Sequence, residues 1–309
     1  MTSRRVRRLP RLMDTVVALI RWRRRVDVLH VLVFSGLAFA MADLTATLGR
    51  MLGLPVVLHL HGGALPEFAV RHPRWVSRVL DRGDALVSPS RYLSSKLPVT
   101  RRGIAVIPNL ISIDDYPFRL RGPVGPSLLW MRTFHPNYNP DLALEVLARL
   151  RTRHPATTLT MAGQEKGKLA RVRARARELG LDAAARFVGF LDLAGKQREF
   201  ARHDIFLNTN RVDNMPVSVL EAAAFGLPIV ATEVGGIPYL LEHEHTALLV
   251  PNDDATAMAC AIERLLAEPS LAQALSRNGR SLAEASAWPS VFALWEPLLD
   301  EVARHRAPA

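Results

Sequence analysis

The chain has 309 residues, of which 49% are hydrophobic and 22% are charged, and a single cysteine, Cys260, which excludes an internal disulfide and a multi-cysteine zinc site. This length and composition exclude a largely disordered chain and fit two domains with separate cores. The formal net charge of +11 favours an anionic partner, which could be nucleic acid, anionic lipid or a phosphorylated small molecule.

The chain begins with a basic stretch and an apolar run. Residues 1–25 concentrate arginines, and residues 26–44 then resemble the apolar core of a signal peptide or membrane anchor. Asp27, His30 and Asp43 interrupt this core, and its uninterrupted part is shorter than the roughly 20 residues of a membrane span. We therefore predict a basic helix, followed by a strand and a helix of a folded domain.

Beyond this stretch, short apolar runs alternate with helical patterns, which is typical of βαβ units and a parallel sheet. The predicted strands span residues 27–34, 55–61, 84–90, 103–109, 127–134, 157–163, 185–190, 204–210, 228–234 and 246–251. The predicted helices span residues 37–52, 67–83, 90–97, 140–154, 168–180, 196–203, 216–226, 254–268, 270–285 and 289–305, with a short turn at 235–243.

Prolines and glycines interrupt the alternation once, which divides the chain. We predict an α/β protein with two Rossmann-like parallel-sheet domains, at residues 1–115 and 127–285, joined by a linker at residues 116–126. Residues 286–309 are predicted to form a C-terminal helix that can cross back to the first domain. Two such sheets imply a cleft, and ligands bind beyond the carboxyl ends of their strands.

The loop after the eighth predicted strand carries candidate ligand-binding residues. Asp213 lies in this loop, Pro216 suits the first helical turn, and Glu221 lies about one and a half turns into the helix. The free N–H groups near Met215 and Val217, together with the helix dipole, would attract an anion such as a diphosphate. The two carboxylates suit hydrogen bonds from sugar hydroxyls.

A plainer alternative is that Asp213 caps the helix and Glu221 is a solvated helix residue. The next loop favours a ligand site, because Gly235 and Gly236 follow a strand directly, where the backbone can approach a ligand closely. Two suitable loops after consecutive strands are harder to explain by chance than one.

The segments NMPVSVLEAAAFGLPIVATEVGGIPYLL and TALLVPNDDATAMACAIERLL resemble the nucleotide-sugar-binding half of retaining GT-B glycosyltransferases of the group 1 type, family 4. The hallmark of that family is two glutamates separated by seven residues. Glu221 matches the second, which the resemblance implies binds the nucleotide ribose. Asp213 stands at the first with a side chain one methylene shorter, and by resemblance contacts the donor sugar near the reacting carbon.

Other segments extend the resemblance over residues 26–304. His61 ends the strand of VVLHLHGG and is the candidate for the histidine that faces sugar and acceptor, and Arg132 in WMRTFHPNYNPDLAL matches the arginine of the donor diphosphate. The lysine that normally follows is absent, Asn137 and Asn139 stand near its place, and Arg211 is a candidate to compensate. The resemblance thus implies Asp213 and His61 as catalytic residues. Together with the two loops described above, it predicts a donor-binding set of Arg132, Asn214, Met215, Pro216, Val217, Glu221, Gly235 and Gly236.

We expect no metal and no cofactor beyond the donor substrate, a UDP-, GDP- or ADP-sugar. His59 and His61 share one predicted strand, and we expect them to face opposite sides of the sheet and therefore not to share a site. Members of the family usually begin with a strand, a Gly-rich loop and a helix, and nothing before Leu12 resembles them. We therefore expect the first sheet to be incomplete. Three explanations are open: the protein is a natural short form, the start of the sequence is wrongly placed, or a partner completes the sheet.

The resemblance implies transfer of a sugar to a hydroxyl acceptor with retention, in cell-envelope, polysaccharide or glycolipid synthesis. An inactive or split-enzyme subunit that binds nucleotide sugar, a sugar epimerase of the same fold, and a basic membrane- or nucleic-acid-binding protein remain open. No nucleic-acid motif is present, so we expect no nucleic-acid partner. We expect a cytoplasmic protein. The basic N-terminal helix with Trp22 predicts contact with the anionic membrane surface, which fits a lipid-linked acceptor, and the plainer alternative is a solvent-exposed helix of the incomplete first domain.

Overall fold

The computed structural model of the chain describes residues 8–98 and 101–304. The chain divides into two compact units, one made of Met1–Pro108 with Val291–Ala309 and the other of Asn109–Ser290. Each unit contains an open sheet in which every strand pair is parallel. The predicted fold class, α/β with two parallel-sheet domains, is confirmed.

The sheet of the first unit has the strand order β1-β2-β3-β4 among the residues described. Its strands are β1 (Leu29–Val33), β2 (Val56–Leu60), β3 (Ala85–Ser88) and β4 (Ala105–Val106). Its first helices are α1 (Arg8–Trp22), α2 (Leu37–Met51), α3 (Leu65–Arg71), α4 (Pro73–Leu80) and α5 (Arg91–Lys96). Every residue of β2 is buried, which explains its continuous apolar sequence, because helices cover both faces of a parallel sheet.

The single helix predicted at residues 67–83 is wrong, because the structure has two helices, α3 and α4, that meet at His72. The ring of Pro73 crowds the preceding residue and disfavours helical geometry there. His72 accordingly has φ −132° and ψ 52°, and Pro73 then opens α4, where its missing N–H has no cost.

The sheet of the second unit has the order β10-β9-β8-β5-β6-β7. Its strands are β5 (Ser127–Met131), β6 (Thr158–Ala162), β7 (Ala185–Gly189), β8 (Ile205–Asn208), β9 (Ile229–Thr232) and β10 (Leu248–Val250). Its helices are α6 (Pro140–Arg151), α7 (Leu169–Glu178), α8 (Leu193–Arg202), α9 (Val217–Ala224), α10 (Ile237–Leu240), α11 (Ala255–Ala267) and α12 (Pro269–Ala285). The last helix of the chain is α13 (Trp288–Ala303). The turn predicted at residues 235–243 therefore includes one helical turn, α10.

The last helix, α13, belongs to the first unit from Val291 onward. Val291 and Val302 are buried in one cluster with Val57 of β2 and Val87 of β3. The opposite face of the same sheet packs against α2 to α5. The first sheet is therefore covered on both faces, and a segment from the C-terminus of the chain supplies one of the covers.

Residues 116–126, where we predict the linker, lie in the second unit, and Arg121 fastens them there. The Arg121 side chain is 3% exposed and donates hydrogen bonds to the backbone oxygens of Phe200, His203 and Phe225. These oxygens lie at the C-terminal ends of α8 and α9, where helix carbonyls lack partners within the helix. Burial and the nearby Arg119 charge lower the pKa of Arg121 to about 10, against the influence of Asp204.

Candidate functional site

The candidate site lies at one edge of the second sheet. Strands β5, β8 and β9 are neighbours in the order β9-β8-β5, and all are parallel, so their carboxyl ends lie at the same edge. Arg132 follows β5, Asp213 follows β8, and Gly235 with Gly236 follows β9. The topology therefore brings together the loops that the sequence analysis selected in this half of the chain.

Arg132 connects the Asp213 loop to the start of α9. Its Nη2 donates to Asp213 Oδ2 over 2.5 Å, and its Nη1 donates to Ser218 Oγ over 3.4 Å. The guanidinium also lies over the Tyr138 ring, 4.0 Å from the ring centroid. Planar guanidinium groups suit such stacking together with directed hydrogen bonds. A positive charge is thereby held beside the first turn of α9.

Two features that the sequence analysis missed hold Arg132 in place. A Cβ atom on Gly163 would lie 1.8 Å from the Arg132 backbone oxygen, and Gly163 has φ +155°, so this position requires glycine. Thr209 donates to the Tyr138 carbonyl over 2.7 Å and accepts from Trp130 over 2.8 Å, which positions the ring under the arginine. The signal for Gly163 was its place directly after strand β6.

Asp213 is held from several sides. Its Oδ1 accepts from the Asn214 backbone N–H over 2.8 Å, and its Oδ2 accepts from Asn210 Nδ2 over 2.7 Å in addition to Arg132. Burial raises the pKa of the Asp213 carboxyl, while the Arg132 charge and the hydrogen bonds from Asn214 and Arg132 oppose this rise. The acid is thus fixed in one orientation, with its charge opposed by a single arginine.

The alternative in which Asp213 caps the helix is wrong. The N-cap residue of α9 is Pro216, and no side chain caps the helix. The backbone N–H groups of Val217 and Ser218 have no acceptor among residues 8–98 and 101–304. Uncapped N–H groups at a helix start attract anions, as the sequence analysis expects for this helix. Met215 is buried, and its carbonyl accepts from Asn109 Nδ2 over 2.7 Å.

The other half of the alternative, a solvated Glu221, is also wrong, because Glu221 is 4% exposed. Its Oε1 lies 2.6 Å from Lys196 Nζ and accepts from the Tyr116 hydroxyl over 3.2 Å. Burial and the adjacent Glu221 raise the pKa of Tyr116. Lys196 lies in the first turn of α8, and nothing in its local sequence distinguishes it as a site residue.

Gly235 and Gly236 have a packing role. A Cβ atom on Gly235 would lie 2.3 Å from the Asp213 backbone oxygen, and one on Gly236 would lie 1.9 Å from the Asn214 backbone oxygen. The Gly236 N–H donates to the Asp213 carbonyl over 2.9 Å. The two glycines therefore let the loop after β9 press against the loop after β8 and fix the Asp213 backbone.

Arg211, the candidate to compensate for a missing lysine, is held by another acid. Its Nε and Nη2 lie 2.9 Å and 2.8 Å from Asp253 Oδ1. Asn139 also donates to Asp253, over 2.6 Å, and is 2% exposed. Asn137 accepts the Arg211 backbone N–H through its carbonyl over 2.8 Å. These contacts join the loops after β5, β8 and β10.

His61 lies in the first unit, directly after β2, within a group of aromatic rings. The centroids of the His59 and His61 rings are 4.0 Å apart, and His30 Nε2 lies 3.1 Å from His59 Nδ1. The expectation that His59 and His61 face opposite sides was wrong, because residues two apart in a strand lie on the same face. Burial, followed by the neighbouring histidine charges, lowers the pKa of His59 to about 3 and of His61 to about 4.

Over residues 8–98 and 101–304, no group of three or more His, Cys, Asp or Glu side chains could hold a metal ion. Over the same residues, no helix combines the length and apolar character needed to cross a membrane.

The two parallel sheets and the cations and acids at one carboxyl edge define a protein of the GT-B glycosyltransferase class. Comparison with known families makes this more specific. Residues 124–282, just over half of the chain, match the family described as glycosyl transferases group 1. The chain belongs to this family.

Named relatives include a glycogen synthase from Mycobacterium tuberculosis, 29% identical over 251 residues, which are 75% of this chain and 59% of the relative. Another is a D-inositol 3-phosphate glycosyltransferase from Saccharomonospora viridis, 32% identical over 160 residues, which are 48% of this chain and 36% of the relative. The chain thus spans less than two thirds of the length of these relatives.

Solved structures resemble both units. A sucrose-phosphate synthase from Thermosynechococcus elongatus superposes on this chain with a TM-score of 0.78 at 20% sequence identity. The match covers 95% of this chain and 78% of the synthase chain. Anabaena HepE in complex with UDP-glucose has a TM-score of 0.78 at 17% identity and covers 96% of this chain and 82% of its own. This likeness confirms the predicted GT-B fold.

Proposed function

We propose that this protein transfers a sugar from a nucleotide-diphosphate sugar to a hydroxyl acceptor, with retention at the anomeric carbon, as a family 4 enzyme. One observation carries the proposal: Arg132 lies against Asp213 and against the uncapped first turn of α9. An arginine beside unpaired backbone N–H groups suits a diphosphate, and an adjacent acid suits a sugar hydroxyl.

In the proposed complex, the donor diphosphate contacts Arg132 and the N–H groups of Val217 and Ser218. Asp213 accepts a hydroxyl of the transferred sugar, and Glu221, one helical turn beyond Ser218, accepts the ribose hydroxyls. The UDP-glucose complex of HepE supports a nucleotide sugar as the ligand class.

The proposed reaction is a front-face displacement. The bond between the anomeric carbon and the diphosphate oxygen breaks, and its electron pair stays on the phosphate. The acceptor oxygen forms the new bond on the same face, and its proton passes to the departing phosphate. The enzyme contributes orientation and charge stabilisation, which Arg132 and the start of α9 supply without a metal. A role for His61 at the acceptor stays a prediction from the resemblance.

A screen of nucleotide sugars tests the proposal directly. The full chain is titrated calorimetrically with UDP, GDP and ADP, and then incubated with the corresponding sugars and a mixture of hydroxyl acceptors. We expect binding of one nucleotide, transfer or slow hydrolysis of its sugar, and loss of binding in Arg132→Ala. Binding without transfer or hydrolysis would favour the inactive or split-subunit alternative, and absence of binding would refute the proposal.

The acceptor is proposed to be a lipid-linked or envelope sugar, because of the surface of α1. Met13, Val17 and Ile20 are exposed at helical positions i, i+4 and i+7, Arg21 is exposed in the last turn of the helix, and Arg24 is exposed just beyond it. An exposed apolar stripe next to arginines suits the interface of an anionic bilayer.

Vesicle flotation tests this contact. We expect the protein to float with vesicles that contain phosphatidylglycerol and to remain behind with purely zwitterionic vesicles. Val17→Glu is expected to reduce flotation, whereas Val70→Glu, which changes another exposed valine, serves as the matched control. Equal flotation with both vesicle types would remove the membrane from the proposal.

A further inference from the structure

Lys196 and Glu221 form an ion pair in which the lysine side chain is much more exposed to solvent than the glutamate side chain. Their atoms Nζ and Oε1 lie 2.6 Å apart, the Glu221 side chain is 5% exposed, and the Lys196 side chain is 27% exposed. The acid is therefore the inner partner and the ammonium is the partner that solvent or a ligand can reach. A buried acid needs a compensating charge, but a lysine that stays partly accessible can also serve a second anion.

The cations at this edge of the sheet are held to different degrees. Arg132 is fixed by two hydrogen bonds and a ring, and Arg211 is fixed by Asp253 through two nitrogens. Lys196 has one partner in the described part of the chain, Glu221. A lysine carries three rotatable donors on a flexible stem, so it can exchange one acceptor for another more easily than an arginine held through two nitrogens.

Glu221 uses only one of its two carboxylate oxygens in these contacts. Both of its contacts in the described part of the chain, with Lys196 and with the Tyr116 hydroxyl, go to Oε1. The second carboxylate oxygen, Oε2, thus retains capacity to accept hydrogen bonds. Each member of the pair therefore keeps bonding capacity toward a ligand that carries both hydroxyls and negative charge.

The position of the pair relative to α9 fits such a ligand. Ser218, which contacts Arg132, and Glu221, which contacts Lys196, lie three positions apart on α9. Side chains at this spacing are on the same helix face, roughly 5–6 Å apart at their Cβ atoms. One cation is therefore held at each of two successive turns along the proposed path of the nucleotide.

We propose that Lys196 is a second phosphate-binding cation of the donor site. Without a nucleotide, the Lys196 ammonium pairs with Glu221. When a nucleoside diphosphate binds, its ribose hydroxyls donate to Glu221, and the Lys196 ammonium turns from Glu221 to a phosphate oxygen. This inference rests on the proposed function and adds a residue that neither the motif nor the resemblance indicated.

The test compares a nucleoside with its diphosphate, because only the diphosphate should depend on the lysine charge. Calorimetric titrations use uridine and UDP, or guanosine and GDP or adenosine and ADP if the wild type prefers that base. The variants are Lys196→Gln and Lys196→Arg. Arg153→Gln, which breaks the 2.9 Å ion pair between Arg153, just after α6, and Glu263 of α11, is the matched control.

We expect Lys196→Gln to weaken diphosphate binding by about tenfold or more, the effect of losing one hydrogen bond to a charged group, and nucleoside binding by less than about threefold. Lys196→Arg is expected to retain most of the preference for the diphosphate, and Arg153→Gln to bind both ligands as the wild type does. Thermal melts of each variant verify that the fold is retained.

Equal weakening of nucleoside and diphosphate by Lys196→Gln would overturn the inference, since the lysine would then only shape Glu221. Unchanged binding of both ligands would overturn it as well. Both outcomes leave the proposed function intact, because the wild type still binds the nucleotide. A wild type that binds none of the three diphosphates would instead refute the proposed function together with this inference.

Discussion

Arg132 and Asp213 meet through a hydrogen bond of 2.5 Å, although they lie 81 positions apart in the chain. Both side chains are nearly buried, at 15% and 13% exposure, so each charge is neutralised mainly by the other. Parallel strands β5 and β8 are neighbours, and their C-terminal loops therefore meet. Any change at Asp213 consequently alters the environment of the arginine proposed to hold the diphosphate.

We expect Asp213→Ala to lower turnover by about 10²–10³-fold, because it removes a charge close to the reacting carbon and releases Arg132. Asp213→Asn should keep the loop shape and lower turnover to a similar degree, with less change in stability. Steady-state kinetics with the donor found in the screen, together with thermal melts, separate the two effects. If both variants change kcat only slightly, Asp213 has a structural role and the proposed catalytic role is contradicted.

Glu221→Ala is expected to act mainly on binding, with about tenfold weaker nucleotide affinity and a kcat within about threefold of the wild type, as for loss of a hydrogen bond outside the reacting centre. Calorimetry with the nucleoside measures this directly, because the effect should already appear without the phosphates. Glu263→Ala, which removes another helical acid from an ion pair, is the matched control. A nucleoside affinity unchanged by Glu221→Ala would contradict the ribose role.

Gly236→Ala is expected to destabilise the protein by several kcal/mol, because the new Cβ would lie 1.9 Å from the Asn214 backbone oxygen. The control is Gly279→Ala in α12, where the nearest atom would be at an ordinary 3.5 Å and the helix should gain up to about 1 kcal/mol. Thermal melting compares the two substitutions. A Gly236→Ala variant as stable as Gly279→Ala would mean that the loops do not press together.

The sequence predicted most strands and helices, because most carry an apolar period and a proline or glycine boundary, but it missed the break at Pro73 within residues 67–83. It also pointed to Asp213 and Gly236, because both lie in loops that follow strands, while Arg132 was predicted through the family resemblance. It did not identify Lys196, because a lysine in the first turn of an amphipathic helix has no local distinction. Its position beside Glu221 comes only from the packing of α8 near α9, which no local pattern encodes.

Burial lowers the pKa of His59 to about 3 and of His61 to about 4, below the 6.5 of an exposed histidine. The unfolded chain therefore binds protons below pH 6.5 that the folded chain does not bind, and stability present above pH 6.5 is lost as the pH falls. Each histidine contributes about 1.4 kcal/mol per pH unit over this window.

Lowering the pH from 6.5 to 5 should reduce the free energy of unfolding of both proteins. We expect this reduction to be about 1–2 kcal/mol smaller in His59→Leu than in the wild type. Urea unfolding followed by tryptophan fluorescence measures this, because Trp295 lies 5.2 Å from the His59 ring. Leu58→Ala, at the preceding position of the same strand, should lower stability equally at both pH values. If stability depends on pH identically in His59→Leu and the wild type, the lowered pKa of His59 is not a source of that dependence.

The final prediction concerns Arg121, which holds residues 116–126 against the second unit. It is buried and donates to four backbone oxygens, including that of Phe225 at 2.6 Å and that of Phe200 at 2.8 Å. Arg121→Gln cannot reach all four, and unsatisfied carbonyls remain at two helix ends, so we expect a loss of about 3–5 kcal/mol. Arg119→Gln removes an arginine that is 57% exposed and paired with Asp204, and should cost less than about 1 kcal/mol. Equal melting temperatures of these two variants would show that the helix ends do not depend on Arg121.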